Sequence, residues 1–226
     1  PPINLDGHVV TDQPLKLYAE GKQAPVPFML GNTLREGFVK MPLPTLRETI
    51  RRQYGSLGPR VLAAYGLDGG TAPPVDPVYG DVSVQYGTDQ SHRCRVMLSG
   101  LQHAATGQPF YQFQFSRDLP GQTNASTHTD EIPFVFGDPA LTALGYDGPE
   151  QRKLSAQMVS YWTNFAKTGD PNGPGLPKWN AFEATRMSYM SFGPSGPTAG
   201  DGLRREQCDL FLAKEKALPT WQQGER

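Results

Sequence analysis

The sequence has few cysteines, no excess of either charge and no long apolar run. Its two cysteines form no C-x-x-C pair, and two sulfur atoms alone make a poor zinc site. The 21 basic and 22 acidic residues give a net charge of −1, which argues against a large binding surface for nucleic acid or an anionic membrane. No apolar run approaches the ~20 residues of a membrane span, and no basic-then-apolar leader indicates a signal peptide. We therefore expect no nucleic-acid partner and no membrane span.

Glycine and proline, by contrast, are abundant. The 226 residues include 25 glycines and 22 prolines, which is roughly a fifth of the chain against about 12% in an average protein. They follow no period, so neither collagen nor a low-complexity linker fits. Hydrophobic residues make up 37% of the chain, which is enough for a packed core. The composition indicates a loop-rich globular protein.

Apolar patterning predicts strands and helices that alternate along the chain. Short apolar or alternating runs predict strands at 26–30, 110–115 and 187–192. Helical spacing and end signals predict helices at 45–54, 61–65, 89–105, 149–167 and 203–216. The first of these helices opens with a capping-box pattern, Thr45-x-x-Glu48. This alternation predicts an α/β fold with a parallel sheet.

Two polar residues follow predicted strands, where open α/β sheets place their sites. Glu36 is either an acid that orients an imidazole or a surface charge beside Arg35. His128 is either a general base or a solvated loop histidine. An acid followed 92 residues later by a histidine matches the second and third members of an α/β-hydrolase triad. The sequence contains no G-x-S-x-G string for the nucleophile.

The other candidates for chemistry have ordinary interpretations. Cys94 and Cys208 each lie in a predicted helix and form either one disulfide or two buried thiols. His8 lies in an N-terminal turn. His92 and His103 are eleven residues apart on one predicted helix, three turns distant and too far to share a metal ion.

Several strings make the chain similar to one protein family. Residues 162–172, WTNFAKTGDPN, are highly specific to that family, and LPKW at 176–179 follows in the expected place. Shorter matching strings are LDG at 5–7, Glu36-Gly37 and His128-Thr129-Asp130-Glu131. From about residue 3 to about residue 211, the chain resembles the C-terminal portion of a type-B carboxylesterase, in the cholinesterase-like branch of the α/β hydrolases.

The resemblance implies roles for individual residues. Glu36 would be the acid and His128 the base of a catalytic triad. A family disulfide and a family salt bridge would fall on two pairs of residues, Cys94 with Cys208 and Asp89 with Arg204. One departure lies beside the base, because Thr129 stands where family members often carry glycine.

The resemblance also implies a fold and an activity. Residues 1–226 would be the C-terminal portion of a single α/β-hydrolase domain, with half of a mostly parallel central sheet flanked by helices. The expected activity is serine-dependent hydrolysis of carboxylic esters, without cofactor or metal. A companion N-terminal segment or chain would supply the nucleophilic serine and the oxyanion hole. The alternatives are a non-catalytic cholinesterase-like binding or adhesion module and, more distantly, a lactonase or amidase. The expected disulfide favours a secreted or periplasmic location.

Overall fold

A four-stranded sheet forms the centre of the molecule. The computed structural model describes residues 4–36, 40–117 and 126–217. The strands lie in the order of the chain, β1 (Phe28–Thr33), β2 (Phe110–Phe115), β3 (Ser188–Gly193) and β4 (Gly196–Asp201). The first three strands are parallel, whereas β3 and β4 form an antiparallel hairpin.

Helices lie before β1, after β4 and in both connections between the parallel strands. In the described ranges they are α1 (Pro14–Ala19), α2 (Leu43–Tyr54), α3 (Gly58–Ala64), α4 (Val82–Thr88), α5 (Cys94–Ala104), α6 (Ile132–Phe136), α7 (Asp138–Ala143), α8 (Pro149–Thr168) and α9 (Arg205–Ala217). A 3₁₀ turn (Gly55–Leu57) joins α2 to α3, and a π-helical turn (Asp89–Arg93) joins α4 to α5. No helix in this described part is both long and apolar enough to cross a bilayer.

Apolar clusters cover both faces of the sheet. On one face, Tyr111 and Phe115 of β2 pack with α8 around the fully buried Trp179. The Trp179 Nε1–H donates to the Gln112 carbonyl at 3.1 Å, so the ring is fixed by a hydrogen bond as well as by packing. On the other face, Phe110 belongs to a cluster with buried residues of α5 and α9. Successive β2 side chains therefore enter different layers, as the two-residue period of a strand requires.

The strands agree with the predicted pattern in the interior of the sheet and differ from it at both edge strands, β1 and β4. β2 occupies the residues that the sequence predicts. β1 begins two residues later than the predicted 26–30 and ends three residues later, so that Asn32 and Thr33 belong to the strand. β4 is not predicted, because its sequence GPTAGD has little strand propensity and the strand forms through its pairing with β3.

The helices differ from the predictions mainly at their starts. The predicted capping box is wrong, because α2 begins at Leu43 with Pro44 in its first turn and has no side-chain cap. The helix predicted at 89–105 follows directly on α4, which begins at Val82 after the N-cap residue Asp81. The short helices α1, α6 and α7 are not predicted, since none is long enough to show a helical period.

Candidate active site

The segments that follow β1 and β2 lie side by side beyond the carboxyl ends of these two parallel strands. The Arg35 N–H donates to the Ser126 carbonyl at 3.1 Å, and Arg35 pairs with Thr127 as one more rung of the parallel ladder. Ser126 Oγ donates to the Phe115 carbonyl at 2.9 Å, which ties the second segment to the end of β2. The polar residues after the two strands are thereby brought together at one edge of the sheet.

Glu36 is held from two sides. Its Oε1 accepts a hydrogen bond from the Thr33 N–H at 2.7 Å, and its own N–H donates to Thr88 Oγ1 at 3.0 Å. The side chain is only 5% exposed. A backbone donor to one oxygen of a buried carboxylate fixes the direction of the other oxygen. Oε2 of Glu36 consequently points at His128.

Glu36 and His128 form a hydrogen-bonded pair. Glu36 Oε2 lies 2.6 Å from His128 Nδ1, while the imidazole is 55% exposed. With the Nδ1 proton donated to the carboxylate, the neutral ring carries its lone pair on Nε2. Such a pair can accept a proton from a hydroxyl group at Nε2, and the carboxylate then stabilises the imidazolium.

A tight turn presents His128. Asp130 Oδ2 accepts hydrogen bonds from the Thr127 N–H at 2.6 Å and from Thr127 Oγ1 at 3.0 Å, and the Asp130 N–H donates to the Thr127 carbonyl at 3.1 Å. Thr129 closes this turn with φ of 77°, in the left-handed region that favours glycine. The backbone strain thus falls on the residue directly after His128.

Glu131 adds a second carboxyl group close to the pair. Burial raises the pKa of Glu131, and the negative charges of Glu36 and Asp130 raise it further, while His128 opposes them. Its Oε2 is buried and has no hydrogen-bond partner within the described part of the chain. The position therefore favours the neutral form of the Glu131 carboxyl group.

His92 adds a second imidazole to the site, beside that of His128, and sequence reasoning missed it. The π-helical turn places the His92 ring against the His128 ring, with 6.0 Å between ring centroids and 53° between ring planes. Burial is the main cause that lowers the pKa of His92. No local signal could have found this neighbour, since the turn is positioned by the long-range contact between Glu36 and Thr88.

A buried ion-pair network fastens the π-helical turn to the sheet. Asp89 is fully buried between Arg93, which it contacts through Oδ1, and Arg204, whose Nη2 lies 3.1 Å from Oδ2. Arg93 is also fully buried, and its Nη2 donates to the Leu34 carbonyl at 2.7 Å. Its Nε donates to Gln114 Oε1 on β2 at 3.0 Å. One guanidinium thus links the turn, the segment before Glu36 and the central strand.

The two cysteines are close in sequence to this network, because Cys94 follows Arg93 and Cys208 lies in the helix that begins after Arg204. Cys94 at the start of α5 and Cys208 in α9 form a disulfide with an S–S distance of 2.00 Å, and both are fully buried. The bond joins the same two parts of the chain that the Asp89–Arg204 ion pair joins.

A cavity of about 630 Å³ lies elsewhere in the molecule. It is lined by side chains of α1, α5 and α9, among them Leu15, Tyr18, Leu101 and Leu212, and does not include Glu36 or His128. The cavity is therefore separate from the polar site at the strand ends.

Most residues of the site lie in a range that matches a known protein family. A model of the carboxylesterase family matches residues 76–211. The matched range includes His128, Asp89 and both cysteines, and it begins after Glu36.

Curated proteins with similar sequences extend over more of the chain. Carboxylesterase 4A of Bos taurus is 33% identical over 201 residues, which cover 77% of this chain and 35% of that protein. Liver carboxylesterase 1 of Oryctolagus cuniculus is 28% identical, over 95% of this chain and 42% of that protein. Carboxylesterase 3 of Pongo abelii is 27% identical, over 100% of this chain and 44% of that protein. The chain spans less than half the length of these curated relatives.

Proposed function

Because the chain belongs to the carboxylesterase family and forms part of an α/β-hydrolase fold, we propose that the protein carrying it is a serine-dependent hydrolase of carboxylic esters. Glu36 is the acid and His128 the base of its catalytic triad. The observation that carries this proposal is the 2.6 Å contact between Glu36 Oε2 and His128 Nδ1, with Glu36 Oε1 held by the Thr33 N–H. The half-exposed imidazole of His128 is accessible to a substrate, and the buried carboxylate of Glu36 is held beside that imidazole by the Thr33 N–H.

The proposed reaction follows from this geometry. A serine hydroxyl adds to the ester carbonyl as His128 Nε2 takes its proton, and His128 then gives that proton to the leaving alcohol. Water attacks the acyl-enzyme, His128 takes a proton from the water, and the serine recovers a proton as the acid leaves. Glu36 keeps the Nδ1 proton in place and stabilises the imidazolium in both halves of the cycle.

The serine belongs to a companion segment or chain in this proposal. Residues 1–226 then form the C-terminal portion of one domain, and the companion supplies the nucleophile and the oxyanion hole. The absence of a G-x-S-x-G string supports this arrangement, as does the greater length of the relatives. The buried disulfide supports a secreted or lumenal location, where such bonds persist.

The first test replaces the two proposed residues in the protein that contains the companion. We expect His128→Ala to lower kcat/KM for a simple ester by at least about 10³-fold, because the base is lost. Glu36→Gln keeps the shape but favours the wrong tautomer of His128, and we expect a loss on the order of 10⁴-fold. His8→Ala removes an exposed histidine and serves as the control. Unchanged turnover in the His128 variant, with an unchanged melting temperature, would refute the assignment.

A covalent probe separates the enzyme from a non-catalytic module. A fluorophosphonate bonds to a serine that an adjacent base activates, and we expect one labelled site in the assembled protein. Labelling should disappear in the His128→Ala variant. A correctly folded assembly that takes up no label would favour a binding or adhesion module instead.

A further inference from the structure

Three side chains that can coordinate a metal ion converge near the carboxyl ends of β1 and β2. The carboxylate of Glu36 and the imidazoles of His92 and His128 each offer one atom, and these atoms all lie within 4.8 Å of one another. They come from three separate segments, one after β1, one in the π-helical turn and one after β2. Their convergence is therefore a product of the fold, whereas neighbouring charges on one exposed loop often meet by chance.

The donor set suits one class of ion. Two imidazole nitrogens and one carboxylate oxygen are ligands that Zn²⁺ binds at about 2.0–2.2 Å, with the fourth tetrahedral position left to water. Ligand atoms of such a site are roughly 3.3 Å apart, as follows from these bond lengths and the tetrahedral angle. The present separations of up to 4.8 Å have to shorten on binding, and we assign that movement to His128, whose side chain is 55% exposed. Calcium and magnesium, which prefer oxygen ligands, do not fit two imidazoles.

The hydrogen bonds of His92 prepare it as a ligand. Ser91 Oγ donates its only proton to the Gly87 carbonyl at 2.6 Å, so it accepts the hydrogen bond from His92 Nδ1–H at 2.8 Å. The lone pair of the neutral ring then lies on Nε2. An oriented ring with its other nitrogen hydrogen-bonded is the usual arrangement of a metal-binding histidine. Glu36 is likewise oriented through its Thr33 contact.

We propose that Glu36, His92 and His128 form a Zn²⁺-binding site that overlaps the Glu36–His128 pair. Whichever nitrogen of His128 binds the ion, the ring loses its function as a base. If Nε2 binds, no lone pair remains to accept a proton. If Nδ1 binds, its proton moves to Nε2, and the hydrogen bond to Glu36 is lost. The ion is therefore an inhibitor, and this consequence alone rests on the proposed esterase function.

The test is the binding of Zn²⁺ to the metal-free protein, measured by calorimetry, with Co²⁺ as a spectroscopic substitute. We expect visible Co²⁺ bands of tetrahedral intensity, displaced by Zn²⁺. His92→Gln should weaken Zn²⁺ binding by at least about tenfold, as loss of one of three protein ligands requires. His8→Gln, at an exposed histidine outside the cluster, should leave the affinity unchanged. Equal Zn²⁺ affinity in the wild type and the His92→Gln variant would overturn the site.

A measurement on the wild type covers the case in which the variant does not fold. On addition of Zn²⁺, the imidazole nitrogen resonances of His92 and His128 should shift together, at one equivalent of metal. Shifts confined to His8 and His103 would exclude the site.

Inhibition is measured separately, so that the two proposals fail independently. Zn²⁺ should inhibit ester hydrolysis by the wild type at concentrations at least about tenfold below those needed for the His92→Gln variant. A protein that binds Zn²⁺ through these residues but hydrolyses no ester defeats the proposed function and leaves the metal site standing. An active esterase whose Zn²⁺ binding is unchanged after loss of His92 defeats the metal site and leaves the proposed function standing.

Discussion

Glu131 shows, at the scale of a single residue, how a site of this kind opposes stability. Its carboxyl group lies near the carboxylate of Glu36 and is partly withdrawn from water, which raises its pKa. Such positions cluster at functional sites, where charges of one sign are gathered for a chemical purpose. The cost is that ionisation of the Glu131 carboxyl group is less favourable in the folded state than in the unfolded chain.

We expect Glu131→Gln to stabilise the protein at pH 7 and to have little effect at pH 4. Folded Glu131 holds its proton more tightly than the unfolded chain does, so the free energy of unfolding falls as the pH rises above the ordinary value of 4.5 and through the raised pKa. Melting temperatures at both pH values measure the effect. Glu48→Gln, at an exposed position of α2, is the control. A Glu131→Gln variant that is equally destabilised at both pH values would contradict this electrostatic account.

Among the elements, the continuous helix from α4 through the π-helical turn to α5 connects the site to the buried ion pairs. The turn brings Asp89 and Arg93 into one buried ion pair and places the His92 ring against the His128 ring. π-helical turns occur often at functional sites, because the extra residue redirects side chains within an otherwise regular helix. Arg93 then transmits the position of the turn to Leu34, two residues before Glu36.

Asp89→Asn should destabilise the protein by about 3–5 kcal/mol, since it leaves the fully buried Arg93 without its charged partner. Asp209→Asn is the matched control. Its Oδ2 lies 3.8 Å from Nε of Arg205, and both side chains are about half exposed. We therefore expect the free energy of unfolding to change by at most about 1 kcal/mol. Denaturant unfolding of both variants measures the difference. Comparable midpoints would show that the Asp89 network contributes no more than a surface pair.

At the scale of the whole molecule, the sequence predicts the interior of the sheet better than its edges. The strand β2 is found because it is a bounded run of aromatic residues that the fold buries on both faces. Glu36 and His128 are found because they follow strands, although their 2.6 Å contact depends on a ladder between Arg35 and Thr127 that no local pattern encodes. His92 is missed for the same reason, since its neighbours come from distant parts of the chain.

The arrangement of the sheet also indicates how a companion would attach. Among the described strands, β1 pairs with β2 on one side and with no strand on the other. Such an edge presents backbone donors and acceptors that another strand can satisfy. The strand β4 is the other edge of the described sheet, but β1 leads directly to Glu36, so we expect the companion to extend the sheet at β1.

We expect this chain, expressed alone, to hydrolyse no ester, and co-expression with the companion segment to restore turnover. Hydrogen exchange of residues 28–33 should slow in the assembly, because their outer amides gain partners. Residues 188–193, which lie between two strands, are the internal control. Ester hydrolysis by the isolated chain would contradict the proposal, as would unchanged exchange at β1 in an active assembly.

The disulfide divides the chain in a way that bears on proteolysis. The bonded cysteines are 114 residues apart, and the closed loop between them contains His128 but not Glu36. A peptide bond cut within the loop leaves both fragments attached through sulfur, so that His128 is retained until a reductant is added. A cut between Glu36 and Cys94 has no such covalent link across it. The strand ladder, Arg93, the Glu36–His128 hydrogen bond and the surrounding packing would then have to keep the acid beside the histidine.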